Sequence, residues 1–131
     1  MSKSRLVVMH PAETTAGPST PGLELRKHLD PDGRWLGWSS WIRNKAGDAS
    51  GWHHHAANDT YVYVIRGSIT LEFGTGGAER IEAGAGDFFL VPSHTIHRET
   101  TAPDSDLEAY IIRVGGEPEQ VNVDGPEGAP I

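Results

Sequence analysis

The stretch Gly51-Trp52-His53-His54-His55 sets three imidazoles in a row, and His94 and His97 follow an apolar run that ends at Pro92. Side chains alternate along an extended strand, so His53 and His55 project to one side and His54 to the other. Two neutral imidazoles so placed can point at one ion, and imidazole nitrogen suits Zn, Fe, Ni or Cu. For residues 53–55 alone the plainer reading is a solvated histidine patch. The second cluster behind another apolar strand weighs against it. The chain has no cysteine, so any metal ligand must be histidine, carboxylate, hydroxyl, backbone or water. His94 reads either as a turn residue at a rim or as a proton-transfer group, since an imidazole titrates near neutrality.

Short β elements must position these residues. Leu23–His28 and the Trp-rich run from Arg34 to Arg43 read as strands, as does a short run over residues 6–9, and Asp30-Pro31-Asp32-Gly33 reads as a turn. Thr60–Ile65 and Ser68–Phe73 flank Gly67 and suggest a hairpin. A glycine turn over residues 74–77 leads to a strand from Ala78 to Glu82, residues 83–86 read as a loop, and Asp87 to Pro92 forms an apolar strand. Asp106 to Val114 is the last strand, and a tail of about residues 115–131, rich in Gly and Pro, follows as an extended arm or loose end. Phe88, Phe89, Leu90, Val91, Ile111 and Ile112 are expected in the core. Trp38 and Trp52 are candidate pocket walls, and one of Tyr110 and Arg113 should reach the interior. Eight to ten short strands without a convincing helix favour an all-β closed barrel or jelly roll, here a single domain with its core over about residues 34–114.

Composition narrows the function. The 131 residues suffice for one domain with a real core. Eighteen acidic against 11 basic side chains give a formal charge of -7, unfavourable for a polyphosphate backbone, so no nucleic-acid partner is expected. No run approaches the roughly 20 apolar residues of a spanning helix, and Leu6–Met9 is too short for a signal-peptide core. The expectation is a cytoplasmic protein without a membrane partner, acting on a small molecule.

The two histidine clusters carry a family resemblance. Spacing over His53, His55, position 60 and Gly67, followed by Ser68–Phe73, and over Gly86, Pro92 and His97, is similar to the two motifs of the cupin superfamily, whose fold is a double-stranded β-helix or jelly-roll barrel. The chain departs from that pattern at His94, where a glycine is usual, and at Thr60, where many cupins carry a glutamate ligand. Asp59 is adjacent, but on a regular strand it faces the opposite way from position 60. The resemblance implies a divalent ion on His53, His55 and His97, with Fe(II) first and Zn, Ni or Mn as alternatives. It also implies a homodimer. The three-histidine set resembles that of thiol dioxygenases and a β-diketone-cleaving dioxygenase. It differs from the three-His, one-Glu set of oxalate- and quercetin-type enzymes. Three function classes follow: a non-haem iron dioxygenase on a small polar or carbonyl-containing molecule, a metal-dependent isomerase or lyase, and a binding or sensing barrel without catalysis.

Overall fold

The computed structural model describes Val8, His10, Ala12, the strands at residues 15–16 and 23–28, and residues 37–128; for 15–16, 23–28 and 37–38 the description is of the backbone. The expected strand over 6–9, apart from Val8, and the turn at Asp30–Gly33 lie outside these residues, as does Trp35.

Among the described residues eleven strands run in order: β1 (Thr15–Ala16), β2 (Leu23–His28), β3 (Gly37–Asn44), β4 (His53–His54), β5 (Asp59–Arg66), β6 (Ser68–Phe73), β7 (Glu79–Gly84), β8 (Phe88–Val91), β9 (His97–Thr101), β10 (Leu107–Val114) and β11 (Val121–Asn122). They form two antiparallel sheets, a six-stranded one in the order β1-β2-β3-β10-β5-β8 and a five-stranded one in the order β11-β4-β9-β6-β7. Among the described residues no helix is long and apolar enough to cross a membrane.

The sheets face each other over a core of Ile42, Val62, Val64, Ile69, Leu71, Ala83, Val91, Leu107, Ala109 and Ile111, with Phe89 packed against it. Each strand contributes alternate residues. On β5 the even positions Thr60, Val62 and Val64 are buried, whereas Tyr63 and Ile65 are exposed and Tyr61 is half-buried. Full burial of each aliphatic side chain stabilises the fold by about 1.5–3 kcal/mol.

Strict alternation corrects the expectation that residues 88–91 and both isoleucines of β10 are core. Phe88 is 63% exposed, Leu90 46% and Ile112 49%. Their neighbours Phe89, Val91 and Ile111 take the inward positions, and a strand covered on one face cannot bury both parities. Trp41 lies on the outer parity of β3, where Nε1 donates to Glu108 Oε2 at 3.0 Å and the Arg43 guanidinium sits 5.2 Å from the ring centroid.

The second correction concerns β5 and β6, which are not a hairpin. β5 pairs with β10 and β8, while β6 pairs with β7 and β9 in the other sheet. Gly67, at φ 81°, carries the chain between the sheets, and a Cβ there would collide with the Asp106 carbonyl oxygen. The hairpin expected at residues 74–77 does form. It joins Phe73 to Glu79, with β7 continuing through Ala83 and Gly84 where a loop was expected. The tail is docked as well: Val121 pairs with His54, Asn122 with His53, and Val123 is buried.

Candidate metal centre

Two strands and one turn bring the histidines together. His53 on β4 pairs directly with His97 on β9, which sets their rings 4.4 Å apart between centroids. His55 lies beyond β4 in a turn whose carbonyl accepts from both the backbone N–H and the side-chain Nδ2 of Asn58. Its ring centroid stands 5.4 Å from that of His53 and 4.9 Å from that of His97. One potential ligand atom from each of the three lies within 4.8 Å of the others, and all three residues are buried. These are the three histidines that the family resemblance names as metal ligands.

The hydrogen bonds set the tautomers. His53 Nδ1 donates to the Gly51 carbonyl at 2.8 Å and His97 Nδ1 donates to the Thr95 carbonyl at 2.9 Å, so each Nε2 keeps a lone pair. His97 Nε2 is buried without a hydrogen-bond partner, an arrangement that normally costs about 1–3 kcal/mol and that a metal bond would satisfy. Arg113 Nη2 lies 3.4 Å from His55 Nε2 and can only donate, which leaves the Nδ1 proton of His55 to the Thr60 hydroxyl at 2.9 Å. Backbone carbonyls and a hydroxyl behind each ring are the supports that orient metal-binding histidines.

Electrostatics keeps the rings of His55 and His97 neutral. Burial holds the pKa of His55 far below its ordinary value of 6.5, and Arg113 and the other histidines add to the effect. Burial also lowers His97, against the opposing pull of Glu99. Neutral imidazoles at neutral pH are the form that binds a divalent ion. The buried polar atoms and the donor set therefore fit a metal.

Two charged residues flank the cluster, and the sequence reading reached only one. Arg113, left open there against Tyr110, is the inward residue of β10: it is 4% exposed and Nε donates to Thr60 Oγ1 at 3.0 Å. Burial pulls its pKa down to about 10, so it stays charged at neutrality. Tyr110 bonds Ser39 Oγ on the outside at 2.6 Å. Glu99 was missed. Its Oε2 lies 3.8 Å from His97 Nε2. The signal was available, because Glu99 shares the parity of His97 on β9.

The remaining candidates sit elsewhere. His94, at φ 58°, is exposed, with its ring 5.9 Å from that of His54 and apart from the three buried histidines. His54 Nδ1 accepts from the Ala56 backbone N–H. Asp59 Oδ1 accepts from the Ser93 backbone N–H at 2.9 Å and closes the loop before β9. Trp52 makes its contacts beneath the Arg98 guanidinium, 4.8 Å from its ring centroid, and against Gly77. Arg98 is bound by Glu72 at 2.9 Å. Trp38 pairs with Arg113 in register.

With that geometry in place, comparison with known proteins separates fold from function. No curated protein sequence matches the chain. Solved structures with the same fold include the polyketide cyclase RemF from Streptomyces resistomycificus, at 22% identity and a TM-score of 0.72 over 91% of this chain and 86% of that one. KdgF from Halomonas sp. aligns at 18% identity and a TM-score of 0.64 over 86% and 97%. Hydroxypropylphosphonic acid epoxidase from S. wedmorenis aligns at 13% and 0.69 over 82% and 58%. These identities speak to the fold alone. The cupin domain family matches residues 41–123, a span that holds all three histidines, Thr60 and Arg113, and the chain belongs to that family.

Proposed function

We propose that this cupin is a metal-dependent enzyme acting on a small carbonyl-containing or otherwise polar molecule. The observation that carries the reading is the buried cluster of His53, His55 and His97, with Nδ1 of the first and last tied to backbone carbonyls and His97 Nε2 lacking a hydrogen-bond partner. A divalent ion held there would supply Lewis acidity toward a substrate oxygen or, as iron, reactivity toward dioxygen.

Two reaction classes draw on different residues. Arg113 and Glu99, both beside the histidines, place a cation to steady a developing oxyanion and a carboxylate to hold or return a proton. That pairing favours proton-transfer chemistry such as isomerisation, elimination or ring closure. Glu99 is nearer the cluster than the exposed His94, and takes precedence over it as the proton carrier. The dioxygenase reading draws on Thr60, whose hydroxyl stands where many cupins have a carboxylate ligand and leaves a set of three neutral ligands. The fold does not choose between them, since its structural neighbours include proteins as different as a cyclase and an epoxidase.

Metal content and anaerobic assay separate the classes. Protein purified without a tag or chelator should carry about one ion per chain. Iron with oxygen-dependent turnover supports the dioxygenase. Zinc, nickel or manganese with turnover that persists without dioxygen supports proton transfer. A protein that holds no metal, even after titration, is a binding barrel and refutes the enzyme reading.

We infer further that two copies pair through the outer face of the six-stranded sheet. Phe88, Tyr63 and Tyr110 form one row in register across β8, β5 and β10, and Leu90, Tyr61 and Ile112 form the next. These rows carry no charge, and so offer two chains of net charge -7 a place to meet. Sedimentation should give a dimer for the wild type and a monomer for Tyr63→Lys. A wild-type monomer at tens of micromolar, or a mutant dimer, refutes the pairing.

A further inference from the structure

Arg113 lies opposite Thr60 across β5 and β10, and its guanidinium is anchored by Nε on Thr60 Oγ1 at 3.0 Å and by Nη1 on the Glu119 carbonyl at 3.4 Å. Nη2 faces His55 Nε2. That nitrogen cannot accept a hydrogen bond and bind a metal with the same lone pair. An ion seated on the three histidines therefore displaces the Nη2 contact, while the anchors at Nε and Nη1 keep the guanidinium beside the ion. The three ligands are neutral, so they cancel none of a divalent ion's charge. Arg113 adds one positive charge, and the nearby carboxylates of Glu99 and Glu119 remove two, which leaves a site that is still positive.

We propose that Arg113 is a specificity residue that selects a carboxylate on the substrate, with one carboxylate oxygen toward the ion and the other toward Nη2. The proposal rests on the metal reading above and names its substrate class: a small carboxylic acid, whose carboxylate fills the place left by the missing glutamate at Thr60. A planar guanidinium matches a carboxylate better than a lysine ammonium does, because its N–H groups hold fixed directions. A neutral amide of the same shape brings no charge and should be rejected.

The test uses binding rather than turnover. Full-length protein loaded with Co(II) is titrated with acetate and, separately, with acetamide, following the cobalt visible spectrum. Wild type should prefer acetate clearly. Arg113→Met should keep one cobalt per chain and lose acetate affinity by roughly ten- to a hundred-fold, the scale of a charge-assisted hydrogen bond. Arg113→Lys, which keeps the charge but not the fork, should fall between the two and serves if the methionine variant does not fold. Equal affinity of the wild type for acetate and acetamide would overturn the proposal, as would acetate binding unchanged in a folded Arg113 variant. Either result with cobalt still bound leaves the metal centre standing. Failure of the wild type to take up cobalt would remove both.

Discussion

Strands β5 and β10 present three inward rungs in succession, Thr60 opposite Arg113, Val62 opposite Ile111 and Val64 opposite Ala109. All six residues are buried, yet the first rung is polar and charged while the other two are aliphatic. The apolar rungs are stabilised by leaving water, whatever the direction of each contact. The polar rung persists because each group meets a directed partner: Arg113 Nε donates to the Thr60 hydroxyl, His55 Nδ1 donates to the same oxygen, and Arg113 Nη2 faces His55 Nε2. Equal burial therefore conceals two kinds of stability, one tolerant of shape and one dependent on every partner being present.

The two kinds should break differently. Val64→Asp puts a carboxylate without a partner into the apolar end and should abolish cooperative folding, read as loss of the urea transition. Acidification should come next. His55 and His97 resist protonation in the fold, whereas in the unfolded chain each takes a proton near its ordinary value of 6.5. Their contribution to stability is complete above pH 6.5 and is lost as the pH falls below it. The expected slope for metal-free protein approaches about 1.4 kcal/mol per pH unit from His55, with a contribution of the same sign from His97, measured by urea unfolding between pH 7 and 5. Thr60→Val keeps the shape of the polar rung but removes the hydroxyl shared by Arg113 and His55, and should cost about 1–3 kcal/mol by the same measure. His97→Asn should be mildest for the fold, about 1 kcal/mol, because the amide can still donate to the Thr95 carbonyl. The same variant should lose stoichiometric metal, read by elemental analysis.

Much of this division was legible in the chain before its fold. Alternation placed His53 and His55 on one side of their strand and His54 on the other. The same rule, applied to β9, would have found Glu99. The choice between Tyr110 and Arg113 needed the phase of β10 against β5, which only pairing supplies. The connection at Gly67 misled because a tight glycine turn looks the same in sequence whether it folds back within a sheet or crosses to the facing one. Unbroken apolarity at Phe88–Val91 hid an outer face, since runs of one character carry no parity. The docked tail was concealed by its Gly and Pro content. Its anchorage comes from Asn58, whose Nδ2 donates to the carbonyls of Gly116 and Pro118.

That tail bears on how firmly the segment bearing His53 is held. Strand β4, only two residues long, has β9 on one edge and β11 on the other, with Asn122 across from His53. So brief a strand keeps its place through its neighbours, and β11 is itself a two-residue strand near the described C-terminal end. Peeling back Val121–Val123 would free one edge of the segment bearing His53 and leave β9 intact. A local opening at β11 would therefore loosen the segment bearing His53 without parting the two sheets.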